Sequence, residues 1–285
     1  MKWSSPPRWL GWALILPFLL WNLTFVLAPL LLVLLQSLYP MGEEYTISQQ
    51  ASLANFHQAL QPANLQVMGR SALYAAATTL SCLLLGYPLA YFIAFHGGRY
   101  RSQLLVLVVL PFWTSYLIRT FAWMTLLQTE GFLNFVLLKL HLVAQPLTLL
   151  NTPVAVILGL TYGFLPFATL PIYVSLEHQD RSLVEAANDL GASPWEAFWK
   201  VVFPLSLPGV ISGSLITFVP AMGDFVSPEI LGGPETQLIG NLIQQQFLAL
   251  FNWPMGSALS LVLMLLMVVS MVLYLKAAGG ERARN

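Results

Sequence analysis

Residues 256–275 read GSALSLVLMLLMVVSMVLYL, a run of twenty residues without a charged side chain. A helix needs about 20 apolar residues to cross the hydrocarbon core of a bilayer, because each residue advances it by about 1.5 Å. Similar uncharged intervals recur along the chain, which is 57% hydrophobic and only 8% charged. A soluble domain carries about 25% charged residues. The sequence therefore predicts a membrane protein built from helices.

Six crossings are predicted, all of them helical. The predicted spans are residues 12–35, 72–95, 104–127, 153–176, 201–224 and 256–275. Their pattern is not the alternation over about 10 residues that marks a barrel strand. The first is expected to remain as a membrane helix, because it is longer than the apolar core of about 7–15 residues in a signal peptide. The chain is thus predicted to be an all-α membrane protein with a single transmembrane domain, residues 1–285.

Basic residues predict the orientation of these helices. Six crossings place both termini on one side, and nine of the twelve Lys and Arg residues lie on that side. Two lie on the other side, and Arg119 falls within the third span. Because cytoplasmic loops carry an excess of Lys and Arg, both termini are predicted to be cytoplasmic. Segment 237–253 is expected to be a helix at the outer interface, since a seventh crossing would carry the basic C-terminus outside.

Composition also argues against several functions. The formal net charge is zero, so no basic surface suggests nucleic acid. The one cysteine, Cys82, excludes an internal disulfide, and the four histidines lack the spacing of metal ligands, so no metal site is expected. No lysine follows a glycine, so the chain lacks the Gly-Lys-Ser/Thr of a P-loop. The chain is therefore not expected to be an enzyme, to need a cofactor or to bind ATP itself.

The loop between the fourth and fifth spans, residues 177–200, concentrates charged residues on the predicted cytoplasmic side. Apolar residues in it recur at the i, i+3, i+4 and i+7 spacing of one helical face: Leu183, Ala186, Ala187 and Leu190. Gly191 stands where a helix stop needs positive φ. Ser193 and Glu196 then match a capping box, with Pro194 at the first helical position. Two short helices joined at a break are predicted.

The same loop resembles the EAA loop of ABC importer permeases. That pattern is Glu-Ala-Ala, three residues, Gly, nine residues, then Ile, any residue and Leu-Pro. Val201 and Phe203 depart from it here, but both remain apolar. The resemblance implies a coupling loop that docks on a separate ATPase subunit. The residues assigned to this coupling are Glu185, Ala186, Ala187, Asp189, Gly191 and Pro204.

Two further stretches narrow the resemblance. They are LPFWTSYLIRTFAW, residues 110–123, and GDFVSPEILGG, residues 223–233, followed later by Asn-Trp-Pro at 252–254. Together they look like the spermidine/putrescine permeases, specifically the first of their two non-identical membrane subunits. The resemblance implies the type I ABC importer permease fold in the bacterial inner membrane. It also implies three partners: a second homologous permease subunit, an ATPase dimer that binds ATP, and a periplasmic substrate-binding protein.

A path for polyamines is expected to offer carboxylates and aromatic faces, because the cargo is a flexible polycation. Asp224 is the one acid within a predicted span, where ionisable residues are costly and often functional. The residues expected to line the path are Asp224, Trp113, Tyr116, Trp123, Phe225 and Glu229.

Arg119 does not fit a path for cations, because it would repel the cargo. It either pairs with Asp224, which would make both residues structural, or faces the partner subunit. It would also suit an anionic cargo. Two alternatives for the function therefore stay open. One is an importer of another small solute (a phosphonate, an oxyanion or ferric iron), and the other is a secondary transporter that works alone.

Overall fold

The computed structural model describes residues 8–41 and 50–282, and their regular structure is helical, which confirms the predicted all-α class. The chain ends included in the predicted domain, residues 1–7 and 283–285, lie outside the described residues. Six helical runs are long and apolar enough to cross a membrane, which is the predicted number, but the third begins at Tyr116 and not near residue 104. They are Ile15–Leu38, Pro62–His96, Tyr116–Lys139, Pro153–Glu177, Pro194–Gly223 and Trp253–Lys276.

The helices are labelled in chain order. They are α1 (Arg8–Asn22), α2 (Ala28–Leu38), α3 (Ala54–Ala59), α4 (Pro62–His96), α5 (Arg101–Val109), α6 (Tyr116–Leu127), α7 (Phe132–Lys139), α8 (Pro153–Glu177), α9 (Arg181–Asp189), α10 (Pro194–Ala197), α11 (Phe203–Gly223), α12 (Val226–Leu231), α13 (Ile239–Gln244) and α14 (Trp253–Arg282). Segment 237–253 is helical through α13, as predicted, and its place at the outer interface stays a prediction.

The chain divides into two compact units, residues 1–65 with 243–266 and residues 66–242 with 267–285. In the first unit, Asn55 Nδ2 donates to the carbonyl of Ser37 at 2.9 Å. Ser257 Oγ donates to Gln36 Oε1 at 3.3 Å in the same unit. Buried polar groups need such partners because unpaired ones are costly away from water.

In the second unit, the predicted span 104–127 is not one continuous helix. After α5 the chain makes a 3₁₀ turn, Leu110–Trp113, and is extended at Thr114 and Ser115 before α6 begins. Pro111 has no N–H with which to continue the helix. Thr114 Oγ1 donates to the Pro111 carbonyl at 2.7 Å, a local hydrogen bond that competes with helical pairing. The predicted span 104–127 is therefore divided between two helices, α5 and α6.

Residues 101–127 nevertheless run antiparallel along the whole of α8. At one end, Arg101 Nη1 forms an ion pair with Glu177 Oε1, in the last residue of α8, at 2.6 Å. Tyr116 lies against Gly163 in the interior of α8, where an added Cβ would be 3.1 Å from Tyr116 Cε2. At the other end, Leu127 packs beside the first turn of α8. The break before α6 therefore lies beside the middle of α8.

α8 and α11 approach each other closely through small residues. A Cβ added to Gly209 of α11 would lie 2.5 Å from Cβ of Ser175 and 2.6 Å from the carbonyl oxygen of Pro171. A Cβ added to Gly213 would lie 2.9 Å from the carbonyl oxygen of Ala168. Small residues allow such close packing between membrane helices, where lipid offers no hydrophobic drive for association. These contacts hold the first half of α11 against α8.

The Gly209→Ala variant is expected to unfold at a lower temperature than the wild type in detergent. Overpacking a close contact costs about 1–3 kcal/mol, because one of the two helix backbones must shift. Gly69→Ala on α4 is the matched control, since its added Cβ meets nothing within 4 Å. Alanine favours a helix over glycine, so this control should keep or raise the midpoint. Equal midpoints for the two variants would contradict the close packing of α8 and α11.

Candidate functional site

Residues 177–200 form the two short helices that the sequence predicts, α9 and α10. The predicted break is present, because Gly191 adopts φ +86°, in the left-handed region that glycine tolerates best. The predicted capping box is present too. Ser193 Oγ accepts from the Glu196 N–H at 3.3 Å, and Glu196 Oε2 accepts from the Ser193 N–H at 3.0 Å. Pro194 begins α10. We call α9, the break and α10 the elbow.

The elbow is anchored to the helices of its own unit. The Ser182 backbone N–H donates to Asp180 Oδ1 at 3.0 Å, which caps α9 and lowers the pKa of the Asp180 carboxyl. Arg181 Nη2 donates to a carbonyl at the end of α4, at 3.2 Å. Gln179 Nε2 donates to the Val202 carbonyl, just before α11, at 3.0 Å. These hydrogen bonds connect the elbow and the residues just before it to the end of α4 and to the residue before α11.

Several apolar side chains of the elbow are unusually exposed. Leu190 is 90% exposed and Trp195 is 69% exposed. Exposed apolar residues grouped with charged ones are typical of protein interaction sites. We define the elbow surface as the exposed residues Leu183, Glu185, Ala186, Asp189, Leu190 and Trp195. Of the other predicted coupling residues, Ala187 is half-buried, and Pro204 lies in the first turn of α11.

Asp224 follows the last residue of α11 and holds the start of α12. Its Oδ1 accepts from the Val226 N–H at 3.1 Å, and its Oδ2 accepts from the Ser227 N–H at 3.3 Å. Tyr116 Oη donates to the same Oδ2 at 2.6 Å and lies 2.7 Å from Ser227 Oγ. The structure therefore joins two expected path residues, Tyr116 and Asp224, directly after the break before α6.

Phe225 and Glu229 extend this group along α12. Phe225 is 42% exposed, and Glu229 is exposed. Glu229 Oε2 accepts from Asn241 Nδ2 at 2.9 Å, and the same nitrogen donates to the Phe225 carbonyl at 2.9 Å. An accessible carboxylate beside an exposed aromatic ring is suited to a cation. We call Tyr116, Asp224, Phe225 and Glu229 the acidic cluster.

The other two expected path residues lie outside this cluster. Trp113 is 80% exposed, on the 3₁₀ turn that ends at the break. Trp123 packs edge to face with Tyr162, with ring centroids 5.4 Å apart. The rings of Trp123 and Tyr162 line a cavity of about 440 Å³ between α4, α6 and α8. The structure therefore separates the predicted aromatic walls into distinct places.

The candidate pair between Arg119 and Asp224 is not formed. Within residues 8–41 and 50–282, the ion pairs are Arg101–Glu177 and Lys200–Glu196. Asp224 already accepts three hydrogen bonds from its own surroundings. The Arg119 guanidinium instead lies over the ring of Phe112, with Cζ 4.7 Å from the ring centroid.

Several polar residues that position the site were not predicted from the sequence. Ser227 and Asn241 position the acidic cluster through the contacts described above. Arg70 of α4 donates from Nε to the Gln237 carbonyl at 2.9 Å and from Nη1 to the Glu235 carbonyl, which ties down the connection after α12. Nothing in the spacing of these residues marks them, because their partners lie far away along the chain.

Comparison with known proteins decides the family. Residues 86–277 match the family described as binding-protein-dependent transport system inner membrane component. The chain belongs to this family. One protein similar to this inner membrane component is the spermidine/putrescine transport system permease protein PotB of Haemophilus influenzae, which is 40% identical over 257 residues covering 90% of each chain. PotB of Escherichia coli is 39% identical over 258 residues, which cover 90% of this chain and 94% of that protein.

Solved structures confirm the fold of this inner membrane component. A chain from the crystal structure of a bacterial ABC transporter involved in the import of the acidic polysaccharide alginate superposes with a TM-score of 0.76. The two chains share 18% sequence identity, and the match covers 95% of each. At this identity the likeness concerns the fold alone. The predicted type I ABC importer permease fold is thereby confirmed.

Proposed function

We propose that this inner membrane component is the permease subunit of an ATP-driven importer that moves polyamines, such as spermidine and putrescine, from the periplasm into the cytoplasm. The observation that carries the proposal is the 40% identity to a spermidine/putrescine permease over 90% of the chain. The acidic cluster supports it, because carboxylates and an exposed aromatic ring suit the ammonium groups and methylene chain of a polyamine. The cargo then passes Asp224, Phe225 and Glu229, while Trp113 and Trp123 supply aromatic walls elsewhere along the path.

In this proposal the chain itself binds no nucleotide and needs no cofactor. A separate ATPase dimer binds ATP, a second homologous permease subunit completes the path, and a periplasmic binding protein delivers the cargo. Both termini and the elbow surface face the cytoplasm, where the elbow docks on the ATPase. Closure of the ATPase dimer on ATP moves the elbow, and its anchors on α4 and α11 open the bundle outward. Hydrolysis resets this rigid-body alternation of access.

Uptake by cells that lack their own polyamine importers tests this function. The cells would express this chain with its second permease, ATPase and binding protein, and take up labelled spermidine or putrescine. Saturable uptake that unlabelled phosphonates and oxyanions do not compete is the expected result. An assembled complex that hydrolyses ATP but takes up no polyamine would contradict the cargo and retain the importer.

A further inference from the structure

Within residues 8–41 and 50–282, Arg119 has no partner for its charge. Its Nε and Nη1 atoms are buried and donate to no acceptor. The guanidinium packs on Phe112, and Asp224 is engaged by other donors. A cation at membrane depth is costly unless a counter-charge or a strong acceptor pairs with it. The described residues of the second unit supply neither.

The non-helical backbone next to Arg119 also needs a partner other than lipid. Trp113 is 80% exposed, and Thr114 and Ser115 are exposed as well. This extended stretch lies beside the middle of α8, not beside either of its ends. Non-helical backbone at membrane depth is tolerated where protein or a water-filled cavity covers it, but not where it faces lipid. Lipid therefore does not cover this stretch.

One side of α6 is exposed next to this extended stretch. Ile118, Ala122 and Leu126 recur at a spacing of four residues and lie beside Arg119 on the helix. Ile118 is 68% exposed and Leu126 is 37% exposed. Thr120, on the side of α6 that packs against its own unit, is only 4% exposed. We define the Arg119 face as Ser115, Ile118, Arg119, Ala122 and Leu126.

We infer that the Arg119 face packs against the second permease subunit, and that a carboxylate of that subunit within the membrane pairs with Arg119. A polyamine is excluded as the occupant because it carries the same sign of charge and is present only during transport. A periplasmic binding protein is soluble and does not reach the middle of a crossing. A permanently bound membrane helix with an acidic residue satisfies both the guanidinium and the exposed backbone. This inference rests on the proposed function, which supplies the second subunit.

Assembly of the full complex tests the inference without measuring transport. Arg119→Glu is expected to reduce the second permease that co-purifies with this chain by about tenfold, a change of about 1.4 kcal/mol in association. Arg119→Lys should retain most of it, because the charge is kept. Each membrane-embedded acid of the second permease would then be replaced by Arg in the Arg119→Glu background. Restoration by one of these replacements, and not by the others, is the expected result.

A cross-linking experiment covers the case in which Arg119→Glu does not fold. A photoreactive phenylalanine analogue at Ile118 or Ala122, with Arg119 intact, should cross-link to the second permease. The same analogue at Thr120 is the matched control, since that side chain is buried within the unit. Cross-links to lipid or to another copy of this chain would overturn the inference. So would wild-type assembly of Arg119→Glu with altered choice of cargo, which would make Arg119 a cargo-binding residue. Loss of polyamine uptake with the interface intact would instead refute the proposed cargo alone.

Discussion

A Gly191→Val variant is expected to lose uptake almost completely while the complex still assembles. Gly191 has φ +86°, and a residue with a Cβ pays about 1–2 kcal/mol for a left-handed conformation, with more strain for a β-branched one. An added Cβ at this position meets nothing within 4 Å, so the effect arises from the backbone alone. Relief of this strain rotates α9 against α10 and disrupts the elbow surface.

Gly191→Asn is the matched control, because asparagine is the residue other than glycine that most often ends a helix in this conformation. It should keep most of the uptake of the wild type. Both variants would be measured in vesicles that hold the whole importer, with ATP hydrolysis and cargo uptake recorded together. Equal coupling in Gly191→Val and Gly191→Asn would show that the elbow geometry does not matter for transport.

Glu185→Lys tests the chemistry of the same surface. Glu185 is exposed on α9, so reversing the charge of its side chain should leave the fold unchanged. Loss of one partner in a charge pair that becomes buried on docking costs about 2–5 kcal/mol, which corresponds to about 30-fold weaker docking or more. Glu185→Gln keeps the shape and should lose less. Uptake at the wild-type rate in Glu185→Lys would remove Glu185 from the docking site.

The second large effect is expected at the acidic cluster. Glu229→Gln and Asp224→Asn should each slow uptake by about tenfold or more when the loaded binding protein is saturating. The reason is that a charge-assisted hydrogen bond to a cation is worth about 1.5–3 kcal/mol. The amount of assembled complex should not change for Glu229→Gln, because the amide oxygen can still accept from Asn241. Uptake per ATP hydrolysed in vesicles is the quantity to measure.

Two comparisons separate a cargo role from a structural role. Glu235→Gln is the control for loss of an acid, since Glu235 is also exposed and lies on the connection after α12. It should transport like the wild type. Asp224→Ala removes the acceptors for the Val226 and Ser227 N–H groups, so it should destabilise the complex as well as slow uptake. If Asp224→Asn transports normally but assembles poorly, Asp224 serves the structure and not the cargo.

Much of the elbow was predictable because its signals are local. Gly191, Ser193 and Glu196 act on backbone groups within three residues, and both the break and the capping box follow from those short distances. The assignment to a coupling role came from the resemblance and remains part of the proposal. The apolar runs were predictable for a similar reason, since the length of a crossing depends on the bilayer and not on neighbouring helices.

The third predicted span shows a feature that local sequence patterns did not predict. The run 104–127 carries no charged residue except Arg119, so composition alone indicates one crossing. Composition did not reveal the hydrogen bond from Thr114 Oγ1 to the Pro111 carbonyl, which competes with helical pairing. The contacts of Tyr116 with Asp224 and Ser227 hold the chain after the break, and they join residues more than a hundred positions apart.

The sequence by itself determined a helical membrane protein with six long apolar runs and a short elbow rich in charged residues between the fourth and fifth of them. These features depend on hydrophobicity and on hydrogen bonds between near neighbours. Only the tertiary structure decided that the predicted third span is broken, that Asp224 caps the start of α12 and that Arg119 has no ion-pair partner among the described residues. Each of these depends on which of several possible donors and acceptors the fold brings together. Asp224 could have paired with Arg119 on charge alone, but Tyr116 and the first N–H groups of α12 occupy its oxygens.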